Sequence, residues 1–502
     1  MTSKKGPPPV VYVLILLILG FGSYQAFTRL NPPYESQSEK TENETPSDTA
    51  ANQQESQTTT SNTANQQETH NAAANGFLSG DRYSTGGAIV ISTSSDNQAF
   101  LQYKQQGVQA MSVGNYSEAV QQFEAALGEK LNSPETLIYL NNARIGQQNA
   151  HQVAVTIPVG ADTVFFSLEM LRGYAQAQQE INQAGGINGT PLKLVIADED
   201  DDPEVAKEVA RKLANQEDIL AVTGHWSSTT TLAVAPIYDE NELVLVNPVS
   251  TSTEISGISD YVFRTIPSNF VVGATMANYA LNDLQVQNIA IYYDSNSGYS
   301  LSLRRELKTA LSTRGGRVVN EFDLSAGGFL AQETLNQAGS QNAEAVVLIP
   351  SPQTIDRALQ VVNVNNGEFP LLGDIGNLYG VKTLQVGGED AVGMAIPIPW
   401  HIQNPGSEEF VQKSRQLWGG DVNWATVMAY DALNAIAQAI EQNPTRDGIQ
   451  NALTRPNFSA PGVVQPVKFL PSGDRDGRLM MVEVQPANPS RSGTGYDFVP
   501  IN

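Results

Sequence analysis

From residue 153 onward, short apolar runs rich in Val, Ile and Leu alternate with longer segments whose apolar residues recur every three or four positions. The first pattern suits strands buried on both faces, the second helices with one apolar stripe. The spacing predicts strands over 153–158, 192–197, 219–223 and 243–246, separated by helices over 163–184, 203–215 and 228–238. The alternation then repeats, with strands over 288–293, 318–322, 345–349 and 371–372 and helices over 270–284, 301–313, 329–338, 354–364 and 421–442. Strands alternating with helices pair in parallel, so the pattern predicts two doubly wound α/β lobes. The chain passes from one to the other near FRTIPS, 263–268.

Upstream the pattern changes. Residues 97–145 read as helical. Gly107, Ala119, Phe123 and Ala126, with a turn at 114–116, resemble one tetratricopeptide repeat, and 134–143 reads as its closing helix. Such repeats need neighbours, so a single unit is expected to pack on the adjoining lobe. It serves either as a spacer or as a protein-interaction surface. Residues 77–95 contain a β-like piece, AIVIS, with no clear placement. The stretch 31–76 is polar and rich in Gln, Thr, Ser, Asn and Glu, with too little apolar surface to fold, and reads as a disordered linker.

At the start of the chain, Lys4 and Lys5 precede an apolar run over 10–22, and no charge appears before Arg29. About 20 residues cross a bilayer, so 1–30 predicts a transmembrane signal anchor with a cytoplasmic N-terminus. A cleaved signal peptide, giving a secreted protein, is the alternative. Under either reading the lobes are exported, and under the first they are tethered to the outer face of the inner membrane.

Composition narrows the function. Acidic residues number 52 against 29 basic ones, a net charge of −23, and no basic stripe is visible, which argues against nucleic acid as a partner. Cys is absent and His occurs four times, leaving no thiolate chemistry and no helical His cluster for a metal. The run DEDDD at 198–202 lacks the spacing of a calcium loop and reads as a solvated acidic loop. No nucleophile elbow, phosphate-binding loop or dinucleotide fingerprint occurs. The expectation is a protein that is not an enzyme, with no cofactor and no metal.

The candidate chemistry lies in ILAVTGHWSSTTTLAVAPIYDENELVLVNPVSTSTE, 219–254. Two strands each run into a cluster of small hydroxyl residues, Ser227 to Thr231 and Ser250 to Thr253. Parallel sheets bind ligands at the carboxyl ends of their strands. Free N–H groups at a helix start, ringed by hydroxyls, suit a carboxylate. In this segment Trp226 reads as loop packing and His225 as a structural hydrogen-bonding group.

Five motifs in order carry a family resemblance: LRGYAQAQQEINQAGGINGTPLKLVIAD (171–198), VTGHWSSTTTLAVAPIY (222–238), NPVSTSTE (247–254), FRTIPS (263–268) and YDALNAIAQAI (430–440). Residues 153–484 resemble the branched-chain amino-acid-binding proteins of ABC importers. The resemblance implies a two-lobed type I periplasmic binding fold, with two doubly wound parallel sheets and a hinge, preceded here by a small α-helical segment. It implies a binding domain over 151–488, with lobe 1 at about 153–266 and 395–465, lobe 2 at about 267–394 and 466–488, and a tail over 489–502.

The resemblance also implies a function. One small ligand, an amino acid or similar zwitterion, is enclosed between the lobes and delivered to an ABC permease; a ligand sensor acting on a signalling partner is the alternative. By motif position the carboxylate falls to Ser228 and Thr251, with the Ser250 carbonyl toward the ammonium; Thr229, beside Ser228 at the helix start, is a further candidate contact. Phe166 matches an aromatic that covers the ligand, and Tyr299 a contact from the second lobe. Ile375 occupies the family's acidic position, so Asp374, one place earlier, is expected to pair with the ammonium. Ser351-Pro352 replaces a family aromatic, which leaves more room than a branched-chain ligand needs.

Overall fold

The structure, a computed structural model, describes residues 82–501 except 92, 94, 95 and 160–162. The expected anchor over 1–30 and linker over 31–76 lie outside the described residues. Among the described residues no helix is long and apolar enough to cross a membrane.

Lobe 1 is built on a six-stranded sheet in the order β1-β3-β2-β4-β5-β6. Its strands are β1 (Tyr83–Ser84), β2 (His151–Ile157), β3 (Leu192–Asp198), β4 (Ile219–Gly224), β5 (Leu245–Asn247) and β6 (Val262–Arg264). All pair in parallel except β1, which lies antiparallel on β3 with Tyr83 opposite Ala197. Helices α4 (Val164–Gln183), α5 (Pro203–Ala214) and α6 (Ser228–Glu240) make the crossovers. Asp202 caps α5 by accepting from the N–H groups of Glu204 at 2.8 Å and Val205 at 3.0 Å, with Pro203 in the first turn, where its missing donor costs nothing.

Lobe 2 holds a seven-stranded sheet in the order β13-β12-β11-β10-β9-β7-β8. These are β7 (Asn288–Tyr293), β8 (Arg317–Asp323), β9 (Ala345–Ile349), β10 (Leu371–Gly373), β11 (Ala395–Ile398), β12 (Met480–Pro486) and β13 (Tyr496–Pro500). Helices α7 (Asn269–Asn278), α8 (Gly298–Ser312), α9 (Ala331–Ser340), α10 (Ile355–Asn365) and α11 (Val381–Gly387) surround it. The chain then returns to lobe 1 through α12 (Glu408–Trp418), α13 (Trp424–Gln442) and α14 (Arg446–Leu453). Helix α13 is buried almost throughout, and α4 crosses it where Gly173 permits close approach: a Cβ there would stand 2.1 Å from the Thr426 carbonyl.

Two expected boundaries move. Strand β11 pairs with β10 and β12, so lobe 2 runs through Ile398 rather than ending before 395. Residues 489–502 are not a loose tail, because β13 within them pairs with β12 along its length. The sequence hides both facts, since β11 is only four residues long and contains Pro397, and β13 is an antiparallel edge strand with a weak apolar pattern.

The helical segment forms α1 (Gln98–Ser112), α2 (Tyr116–Glu129) and α3 (Pro134–Ile145). Gly107 lets α1 meet α2: a Cβ there would lie 2.5 Å from the Phe123 ring. Helix α3 binds lobe 1 through Asn142. Its Nδ2 donates to the Thr85 carbonyl at 3.0 Å and the Leu194 carbonyl at 2.8 Å, and its Oδ1 accepts from the Leu194 N–H at 3.2 Å. One side chain thereby satisfies the edge of β3 beyond the short strand β1. Among the described residues, the β-like piece near Ile91 joins no sheet. Its N–H groups at Val90 and Ile91 donate to buried Glu135, which also pairs with buried Lys104.

Candidate functional site

Strand β4 ends at Gly224, whose φ of +127° turns the chain sharply, and His225 follows at φ +57°. A buried relay fixes this turn. His225 Nδ1 bonds Glu199, its Nε2 lies 2.9 Å from the Tyr238 hydroxyl, and Glu199 Oε1 accepts the Trp226 N–H at 2.7 Å. The turn places Ser227, whose hydroxyl accepts the Thr230 N–H at 3.1 Å, as the cap of α6. Ser228 and Thr229 therefore stand in the first turn, and their N–H groups take no partner among the described residues.

Asn247 at the end of β5 shapes the second hydroxyl loop. Its Oδ1 accepts the N–H groups of Val249 at 2.8 Å and Ser250 at 2.6 Å, and its Nδ2 donates to the carbonyls of Gly224 at 2.6 Å and His225 at 2.8 Å. The Ser250 hydroxyl is held by Thr231 at 2.8 Å, and its carbonyl accepts from buried Arg264 at 3.3 Å. The Ser252 N–H donates to Ser228 Oγ at 3.3 Å, which joins the two loops.

These loops face lobe 2 across a cleft of about 560 Å³. Ser228, Thr229, Ser250 and Thr251 line one wall and Tyr299 the other. Thr251 is 1% exposed and its hydroxyl has no partner among the described residues.

Two expected contacts sit elsewhere. Phe166 does not line the cleft; it stacks on Trp226 with centroids 4.1 Å apart, and Trp226, expected only to pack, forms the surface. Asp374 is fully buried behind Tyr299 and does not line the cleft. It accepts the Tyr299 hydroxyl at 2.8 Å and the N–H groups of Gly376 at 3.0 Å, Asn377 at 2.9 Å and Leu378 at 3.1 Å. The strand-to-loop turn after β10 spends this carboxylate on its own backbone, which leaves none of it for an ammonium.

Burial raises Asp374 to about 6, although these donors pull it down. Its folded value lies above the ordinary 3.8, so between about 4 and 6 the folded chain holds a proton that the unfolded chain has lost. Its contribution to stability is full below about 4 and is lost as pH rises through 6. Asp374→Asn is expected to flatten that part of the pH profile in urea melts at pH 4.5 and 7; an unchanged slope would count against it.

Two acceptors unremarked in the sequence do reach the cleft. Asp201, in a left-handed turn at φ +52°, lines it, and its Oδ1 is buried without a partner among the described residues. Burial raises its carboxyl to about 6 against a lowering hydrogen bond from the Ser227 side chain, and the charges of Glu199, Asp200 and Asp202 add to the rise. Asn377 also lines the cleft with its Oδ1 buried and unpartnered. Neither was legible: DEDDD reads as solvated, and one Asn after a Gly is an ordinary turn residue.

A family model described as periplasmic binding protein matches residues 151–488. An amino acid binding protein of Pseudomonas aeruginosa is 31% identical over 177 residues, 35% of this chain and 47% of that one, so this alignment spans less than half of that relative. A leucine-specific-binding protein of Salmonella typhimurium is 25% identical over 310 residues, 61% of this chain and 82% of that one. A leucine-binding protein structure from Thermotoga maritima shares the fold with a TM-score of 0.60 at 22% identity, over 70% of this chain and 98% of that one. A branched-chain amino acid transporter substrate-binding protein from Streptococcus pneumoniae, in complex with isoleucine, does so with a TM-score of 0.60 at 20% identity, over 70% of this chain and 100% of that one.

Proposed function

This chain belongs to the periplasmic binding protein family, and from that premise we propose that it captures an amino acid or similar small zwitterion between its lobes and hands it to an ABC permease. The family is one of solute-binding proteins rather than enzymes. The observation that carries the reading is the wall made by the two hydroxyl loops, with unpartnered N–H groups at Ser228 and Thr229 and the orphaned Thr251 hydroxyl. These are donors along one wall of the cleft, which suits a carboxylate. The relatives' names, which specify amino acids, support the same class.

In this reading the carboxylate rests on Ser228, Thr229 and Thr251. Tyr299, held rigid by Asp374, closes over it from lobe 2. The ammonium is received by acceptors that reach the cleft, Asn377 Oδ1 and Asp201, instead of by Asp374. Phe166 acts by holding Trp226 flat against the ligand. Export of the lobes, which the apolar stretch near the N-terminus favours, places them where such a permease would meet them. Closure rotates the lobes about the chain crossings near 264–269, 398–408 and 453–480.

Calorimetry of the full chain against the twenty amino acids tests the reading. At least one is expected to bind, and silence toward all of them would overturn it. Ser228→Ala removes a donor to the carboxylate and is expected to weaken that binding by about 10- to 100-fold. An affinity within twofold of the wild type would take Ser228 out of the site.

A further inference from the structure

Resting on the amino-acid reading, we propose that the ligand carries a second anionic group, distal to the carboxylate held by lobe 1, and that Arg357 of lobe 2 receives it. Arg357 stands in the first turn of α10 and is the one basic side chain among the described residues lining the cleft. Its Nη1 donates to the carbonyls of Leu324 and Ala326, the latter at 3.0 Å, which pins the guanidinium beside Ser325. Nε and Nη2 have no partner among the described residues, and Arg357 enters no ion pair there. The nearby acid, Asp294, is already engaged: it accepts from Ser351, from Thr354 at 3.2 Å and from the Asn296 N–H at 2.8 Å.

On the lobe 2 side of the cleft, Asn296, Ser325, Ser351 and Gln353 are polar lining residues and Pro352 and Ile375 apolar ones; Trp226, Val249 and Trp424 add apolar surface elsewhere in the lining. A purely aliphatic ligand side chain would desolvate these polar groups and a guanidinium without returning a hydrogen bond. A carboxylate returns a charge-assisted, two-pronged contact that a planar guanidinium is shaped to accept. Asn377 Oδ1, 7% exposed as a residue and unpartnered, independently calls for a ligand N–H in the same cleft. A chain of net charge −23 offers an anion little long-range attraction, so discrimination falls on this local cation.

The test is calorimetry of the full chain with L-glutamate, L-glutamine, L-leucine, L-lysine and glutarate. Glutamate is expected to bind about tenfold or more tighter than its amide glutamine. Arg357→Gln is expected to bring that ratio to about one, and Arg357→Lys, which keeps the charge, to retain part of it. Glutamine, leucine or lysine binding as tightly as glutamate would overturn the proposal, and so would a ratio unchanged by Arg357→Gln in a protein whose melting temperature shows it folded. If glutamine or leucine binds and glutamate does not, Arg357 loses its role while the amino-acid reading stands. If glutarate binds through Arg357 and none of the twenty amino acids does, the amino-acid reading falls and the anion site stands. Silence toward all five overturns the anion site, and the amino-acid reading is then decided by the remaining amino acids of the twenty.

Discussion

Replacing Asp431 by Ala is expected to destabilise the protein by about 3–5 kcal/mol, the usual cost of leaving one partner of a buried ion pair alone. Asp431 on α13 and Arg475 on the last crossing between the lobes are 1% and 4% exposed, with Oδ2 and Nη1 2.7 Å apart. The pair is embedded in backbone bonds. Asp431 Oδ1 accepts the Val463 N–H at 3.0 Å, and Arg475 donates to the carbonyls of Thr265 at 3.3 Å and Gln465 at 3.4 Å. It thus ties a helix of lobe 1 to two of the three crossings. Urea denaturation measures the loss. Asp431→Leu combined with Arg475→Met is expected to recover much of it, because no charge then remains buried without a partner. A single-variant loss under about 1 kcal/mol would mean that water reaches the pair, against its burial.

Gly224→Ala is expected to cost about 3 kcal/mol or more, from two sources that add. The backbone at φ +127° excludes ordinary side chains, and a Cβ there would stand 2.2 Å from the Thr156 carbonyl, an atom held in the sheet. Gly185→Ala separates the two sources, since Gly185 has φ +98° but nothing within 4 Å of an added Cβ. That variant is expected to lose only about 1 kcal/mol, the strain alone. Equal losses in thermal melts would show that crowding at Gly224 contributes nothing. Because Gly224 leads directly into His225, Trp226 and Ser228, its variant should also lose ligand affinity, whereas the Gly185 variant should not.

Much of the fold was legible because buried parallel strands are continuous apolar runs. The runs at β2, β4, β7 and β9 are buried on both faces, and the predicted strands fall on them. Helices α11, α12 and α14 were not predicted; α11 is short, and the other two are polar enough on their outer faces to read as loop. The hydroxyl loops were legible for a different reason. They are local features, two strand ends followed by small polar residues, and a parallel sheet brings such ends together.

The segment SGDRDG shows the opposite case. It reads as a surface turn, yet its Asp474 bonds buried Arg264 at 2.6 Å and its Arg475 bonds buried Asp431. The partners lie far away along the chain, and charge pairing at that separation leaves no local periodicity to read. Asp374 misleads likewise: a one-residue shift in a loop decides whether a carboxylate faces the ligand or its own backbone.

By itself the sequence determined the two α/β lobes, the order of their main elements and the hydroxyl wall, since periodicity and strand-end chemistry are written over a few neighbouring residues. Only the tertiary structure decided which charges meet. It set Asp374 behind Tyr299, brought Asp201, Asn377 and Arg357 to the cleft, and folded the chain's end into the sheet of lobe 2, because burial and pairing are properties of distant segments packed together.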